Sequence, residues 1–217
     1  MITKRFAAFL GLILSLAPAA ALADGYLLVM GGFSDQEKRA AYQQALPPIY
    51  QAHGGAYLAL GGPGRGVEQL SGEMTARGMV ISHFPSPDAV KSFWTSPAYR
   101  DAVKIREGGG SFDVLRLEGS APGPASGRKA YLLQLLNIEA PKLPAMAIEG
   151  AGRVLVDGAP LETLEGAVSP TRVLILEFPS QDALQAWWNG PGGFALAGRA
   201  QGRKTAVFSI AGFAPRS

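Results

Sequence analysis

The sequence predicts an α+β protein built from two tandem ferredoxin-like units. Three observations predict it. First, residues 79–97 recur as residues 173–191 at a constant offset of 94, with eight of the nineteen positions identical. Second, the first half reads strand, helix, strand, strand, helix, strand, the split βαβ order of the ferredoxin-like fold. Third, residues 120–129, rich in Pro, Gly and Ser, separate the two halves as a linker.

Residues 1–23 have the three parts of a secretory leader. Lys4 and Arg5 form a positive start, residues 6–16 an apolar run, and Ala21-Leu22-Ala23 a small-x-small cleavage pattern before Asp24. Pro18 interrupts the apolar stretch, which is short for a membrane span of ~20 residues. The expectation is cleavage after Ala23, export to the periplasm or beyond, and no stable membrane span in the mature chain.

The first unit is expected over 24–119. A strand over 25–32 leads to a helix opened by the capping box of Ser34 and Glu37. Pro48 should kink or break that helix. It ends at His53-Gly54-Gly55, a C-cap pattern. A second strand covers 56–60. The glycine-rich stretch 61–66 could cradle a phosphate through backbone amides. It leads towards a strand, however, without a helix N-terminus or a Lys-Ser/Thr pair, so it reads as a turn.

The repeated stretch then opens with an apolar strand run, ended by Phe84-Pro85 because proline cannot donate to a ladder. Ser86 caps the next helix, Pro87 sits at its first position, and Asp88 suits the helix dipole. Val90, Phe93 and Trp94 form an apolar stripe, with Trp94 expected as a core anchor. A further helical turn restarts after Ser96-Pro97, with Tyr99, Ala102, Val103 and Arg106 on one face. Residues 112–117 close the unit as its fourth strand.

The second unit is expected over 130–217. Ala130-Tyr131-Leu132-Leu133 matches Gly25-Tyr26-Leu27-Leu28 at offset 105, and Gly152 matches Gly55 at offset 97. The first helix has therefore lost eight residues. What remains of it, 140–149, contains Pro141 and Pro144 and is a poor helix former. Strands are expected over 153–156, 173–178 and 205–210. Ser180, Asp182, Leu184, Trp187 and Trp188 repeat the cap and stripe. Gly192, Gly193 and Gly198 weaken the end of the second helix. This copy reads as scaffold more than site.

Composition narrows the function classes. The chain has no cysteine, which removes disulfides and thiolate chemistry. The formal net charge is +3 and falls to +1 without Lys4 and Arg5 (18 basic against 17 acidic residues), so nothing points to nucleic acid. Two histidines without zinc-motif spacing imply no metal site. No Walker loop, dinucleotide fingerprint or nucleophile elbow occurs, and no cofactor is expected.

Several short motifs together resemble a known family. They are Tyr50…His53-Gly54-Gly55-Ala56-Tyr57-Leu58…Gly61-Gly62, then Leu70-Ser71-Gly72, then Phe84-Pro85-Ser86…Phe93-Trp94…Ser96-Pro97. This pattern resembles the domain of unknown function 1330 family, within the dimeric α/β-barrel superfamily. Residues 25–119 carry the resemblance well. Residues 130–213 carry it less fully, through Leu164-Glu165-Gly166, Phe178-Pro179-Ser180 and Trp187-Trp188.

The resemblance implies two ferredoxin-like units that pair their sheets face to face, here as an intramolecular pseudo-dimeric α/β barrel. It also implies a pocket inside the barrel. Relatives include cofactor-free monooxygenases, isomerases and haem-dependent enzymes. Two positions depart from the family pattern. Its usual Arg after Gly-Gly is Ala56 in the first half and Arg153 in the second. Its usual Glu before Phe-Pro-Ser is His83 in the first half and Glu177 in the second.

An ionisable group on an apolar sheet face is costly unless paired, so His83 and Glu177 are the candidate catalytic bases. Arg153, a possible partner of Glu177, joins Tyr26 and Tyr131 as candidate ligand-binding residues. His53, at a helix C-terminus, is explained by the helix dipole. The expected function is an exported, non-catalytic module that binds a small apolar molecule or simply assembles. The alternative is a cofactor-free oxygenase or isomerase acting on a small aromatic or enol substrate. Because helices cover only one face of each sheet, the halves should pair with each other and leave the mature chain a monomer.

Overall fold

The computed structural model describes residues 23–123, 129–137, 152–198 and 205–213. The leader and residues 140–149, where the shortened helix was expected, lie outside the described residues.

The first half contains β1 (Asp24–Phe33), α1 (Gln36–Ala52), β2 (Ala56–Pro63), β3 (Gly66–Gly72), β4 (Gly78–Phe84), α2 (Pro87–Thr95), α3 (Pro97–Arg106) and β5 (Gly110–Gly119). The second contains β6 (Ala130–Leu136), β7 (Arg153–Gly158), β8 (Glu162–Glu165), β9 (Arg172–Phe178), α4 (Gln181–Trp188), α5 (Pro191–Gly198) and β10 (Thr205–Ala211). One ten-stranded sheet runs in the order β7-β9-β6-β10-β3-β2-β4-β1-β5-β8. The expected four strands of each half are there, as β2-β4-β1-β5 and β7-β9-β6-β10.

The fifth strand of each half was not expected, and it is exchanged. β3 of the first half pairs with β10 of the second, and β8 of the second pairs with β5 of the first. Gly72 (φ +95°) and Gly166 (φ +84°) end these crossing strands in the left-handed region. A Cβ on Gly72 would stand 2.0 Å from the Thr205 carbonyl oxygen, and one on Gly166 2.2 Å from Asp113 Oδ1. Only glycine permits both the backbone turn and so close an approach.

The strand that closes each half also meets the second strand of the other half, with two-fold regularity. The Ser120 amide donates to the Leu155 carbonyl at 2.8 Å, and the Phe213 amide donates to the Leu58 carbonyl at 2.7 Å. The barrel interior is one packed cluster drawn from both halves. Tyr26, Leu28, Met30, Met79 and Ile81 meet Tyr131, Leu133, Val173, Ile175 and Phe208. Strand alternation sends their neighbours outward. Leu27, Phe84 and Val114 pack under α1, α2 and α3, and Leu174, Leu176 and Phe178 under α4 and α5. The pseudo-dimeric barrel is thus built within one chain.

Local expectations fare unevenly. Ser86 and Ser180 cap α2 and α4 by accepting from the amides of Ala89 and Ala183, each at 3.1 Å. Helix α1, however, is capped by Asp35, not Ser34. The Asp35 carboxylate accepts from the amides of Glu37 and Lys38, each at 3.0 Å. Pro47 and Pro48 do not break α1. They stand on its exposed side with Gln43 and Gln44, whose released carbonyls can reach water, while Leu46, Ile49 and Tyr50 bury the other side. The glycine stretch is a tight turn closed between Gly62 and Arg65. The deep anchors of the stripe are Phe93 (0% exposed) and Trp187 (7%), whereas Trp94 and Trp188 are only half-buried. At helical spacing the preceding position of each pair points at the sheet.

Candidate functional site

Sequence reasoning selected His83, Glu177, Arg153, Tyr26 and Tyr131, and the structure brings them to one end of the barrel. Tyr26 lies opposite His83 across β1 and β4. Glu177 lies opposite Tyr131 on β6 and opposite Arg153 on β7. Residues 120–123, leaving β5, run between the two groups and occupy them. The Tyr26 hydroxyl donates to the Ser120 carbonyl. The Gly123 amide donates to Glu177 Oε1 at 2.9 Å, and Arg153 Nη1 stands 3.5 Å from the Ala121 carbonyl.

Glu177 does not take Arg153 as its ion partner. Lys129 Nζ sits 3.0 Å from Glu177 Oε2 and also donates to the Gly123 carbonyl at 2.7 Å. The Tyr131 hydroxyl donates to the same carboxylate oxygen at 3.3 Å. Lys129 wins because it stands just before β6, beside the buried carboxylate, while Arg153 is exposed. Burial, reinforced by the Glu177 charge, raises the pKa of both Tyr26 and Tyr131. His83 Nε2 approaches Asp24 Oδ2 to 3.4 Å without forming a hydrogen bond. His53 is the α1 C-cap, its Nδ1 3.3 Å from Ser92 Oγ. The predicted cluster is therefore a clasp around the start of the linker, and its carboxylate is already fully engaged.

The cleft that sequence reasoning missed lies on the other side of the first sheet. It lies outside the barrel, whereas the resemblance implied a pocket within it, where Tyr26, Met79, Tyr131 and Phe208 are packed together. A cavity of about 310 Å³ opens between α1 and the outer face of β1, β2, β4 and β5. Tyr42, Tyr50 and Leu46 enter it from α1, Tyr99 and Arg106 from α3, and Tyr57, Phe112 and Val29 from the sheet. Tyr42, Leu46 and Tyr50 are spaced i, i+4, i+8, and Tyr99 and Arg106 i, i+7. Those intervals put each set on one helix face, and they were the signal available in the sequence.

The cleft's polar groups are arranged in pairs. The Tyr42 and Tyr99 hydroxyls are 3.2 Å apart, and the Tyr50 hydroxyl is 3.1 Å from Ser82 Oγ. Burial is the main reason that the pKa values of Tyr42, Tyr50, Tyr57 and Tyr99 are all raised. These phenols therefore stay protonated at neutral pH, as donors and not as bases. Arg106 is buried, and its guanidinium lies 4.4 Å from the Phe112 ring centroid. Burial works against its charge. The paired Glu165 and the surrounding tyrosines outweigh that, so its pKa is raised. The second half supports this wall at two points. Glu165 of β8 takes both Arg106 Nη atoms, with Nη1–Oε1 at 2.8 Å, and the Phe213 ring packs 5.5 Å from that of Tyr57.

Comparison with solved structures finds several of similar outline. A protein of unknown function from Rhodopseudomonas palustris is 23% identical over 46% of this chain and 85% of its own, with a TM-score of 0.39. An anthrone oxidase-like protein is 12% identical over 90% of this chain and 93% of its own, with a TM-score of 0.48. A chlorite dismutase variant from Candidatus Nitrospira defluvii is 11% identical over 88% of this chain and 91% of its own, with a TM-score of 0.48. No curated protein matches the chain. The family described as Domain of unknown function (DUF1330) matches residues 24–120 and 140–213. With that match across both halves, the chain belongs to the DUF1330 family.

Proposed function

We propose that the protein is a non-catalytic binding module for a small, neutral, aromatic molecule. The observation that carries this reading is the cleft of about 310 Å³ under α1. Its walls are aromatic and aliphatic, with phenol donors set among them, the usual make-up of a small-molecule site. A planar ligand bearing a hydroxyl or keto oxygen suits such walls, because the rings stack and the phenols donate to the oxygen. The enzyme alternative finds less support. Glu177 is spent on the clasp, His83 lies at the other face of the sheet, and the phenols of the cleft are poor bases.

Titration with 2-naphthol tests the reading. The expected dissociation constant is on the order of 0.1 mM, from ligand-efficiency limits for a molecule of this size. Val29→Phe, which fills the cleft floor, should weaken binding at least ~10-fold, a loss of about 1.4 kcal/mol. No binding by the native protein, or equal binding by the variant, overturns the reading.

The leader supports export, with a mature chain beginning at Asp24 in the periplasm. The pairing of the halves supports a monomer. N-terminal sequencing and light scattering of the fractionated protein test both; a cytoplasmic chain retaining Met1 overturns the first.

A further inference from the structure

We infer that Glu165, supplied by the second half, sets the charge preference of the first half's cleft. The inference rests on the cleft being the binding site and goes on to say what decides which ligands enter it. Among the described residues, Arg106 is the sole charged one lining the cleft, and it is buried. An unpaired buried guanidinium would be costly, and a carboxylate presenting two oxygens in its plane is the partner that fits it best. Glu165 is that partner, with Nη1–Oε1 at 2.8 Å and Nη2–Oε2 as the second contact.

The pairing makes the described lining of the cleft neutral as a whole. A ligand carboxylate entering it loses its water and finds the cation already taken, so anions are turned away by desolvation. A neutral aromatic alcohol pays no such penalty. Removing the Glu165 charge leaves the Arg106 guanidinium, which lines the cleft, without a counter-charge, and a ligand carboxylate can then complete the pair.

Glu165 comes from an exchanged strand. It sits in Leu164-Glu165-Gly166, and the corresponding first-half residues are Leu70-Ser71-Gly72. The two motifs end the two exchanged strands and share the left-handed glycine. The second half thus carries a carboxylate where the first carries a hydroxyl, and the strand exchange delivers that carboxylate to Arg106.

The test is a pair of probes of the same shape, 2-naphthol and 2-naphthoate, titrated against the native protein and Glu165→Gln. The native protein should prefer 2-naphthol. In Glu165→Gln the naphthol-to-naphthoate affinity ratio should fall at least ~10-fold, as expected when one charge-assisted pair is gained. An unchanged ratio with 2-naphthol still bound overturns the inference and leaves the cleft reading standing. Binding of neither probe to the native protein overturns the cleft reading itself. If Glu165→Gln does not fold unaided, refolding is repeated with each probe. Rescue by 2-naphthoate and not by 2-naphthol supports the inference, and rescue by neither or by both alike overturns it.

Discussion

Two positions before the buried tyrosine that opens each half stands a charged residue: Asp24 before Tyr26, and Lys129 before Tyr131. Each faces the residue that precedes Phe-Pro-Ser. In the first half Asp24 approaches His83 at 3.4 Å, and in the second Lys129 meets Glu177 at 3.0 Å. The backbone plan is the same, but the sign of each partner is reversed. The second pair is also the better satisfied, since Glu177 gains the Gly123 amide and the Tyr131 hydroxyl. The repeat thus keeps where an ion pair can form but not what it does. One half ties down the linker, while the other half keeps the cleft.

The deep anchors give the sharpest way to test whether the halves are equivalent in their cores. Phe93→Ala and Trp187→Ala should each cost about 3–5 kcal/mol, because each removes a large side chain from a packed helix–sheet layer. Trp94→Ala and Trp188→Ala, at half-buried positions, should cost about half as much. Denaturant unfolding measures all four. A Trp188 loss equal to that of Trp187 would undo the assignment of the anchor position.

The reversed ion pairs should differ next. Lys129→Met leaves the Glu177 carboxylate buried without its cation and should cost about 3 kcal/mol. Asp24→Asn should cost less than about 1 kcal/mol, since the contact with His83 is long and partly wet. Equal losses would mean that the two pairs are energetically alike.

The smallest effect is a pH slope. Asp113 of β5 joins the halves: it accepts from the amides of Ala167 and Val168 at 2.8 and 2.9 Å and pairs with Arg77 at 2.7 Å. Burial alone would raise its pKa, but the two amides and Arg77 outweigh that and hold it below the ordinary 3.8. A depressed folded pKa gives stability that is present above about pH 3.8 and is lost as pH falls through the folded value. The corresponding second-half residue is Ala206, since Asp113 faces Met30 and Ala206 faces Leu135. Asp113→Asn should therefore flatten the acid limb of the stability curve. A slope identical to that of the native protein in acid titration of the unfolding midpoint would remove Asp113 from the account.

Much of the frame was legible because it is local. The repeat, the serine caps and the strand runs all follow from nearest-neighbour chemistry. The exchanged strands were not legible. Gly66–Gly72 and Glu162–Glu165 are short and polar, and what makes each a strand is an edge in the other half, far away in sequence. The cleft was hidden for a similar reason, since its walls run from Leu27 to Phe213. Of the five candidate residues, His83 and Glu177 were singled out as ionisable groups on an apolar sheet face in need of partners, and the structure gathers all five at one end of the barrel. Three of them, Tyr26, Glu177 and Arg153, meet the start of the chain's own linker, and the linker's composition carries no sign of that.

The strand exchange has a consequence for symmetry. In a two-fold dimer of identical chains every substitution appears twice, so any change that suits one pocket is imposed on its twin. Here the copies are fused and each has lent a strand to the other, so the symmetry survives in the backbone and is broken in the side chains. A residue such as Glu165 can be altered to suit one cleft without duplicating the change at Ser71. The second half is then free to diverge in its own side chains while it continues, through one short strand, to hold Arg106 in the wall of the first half's cleft.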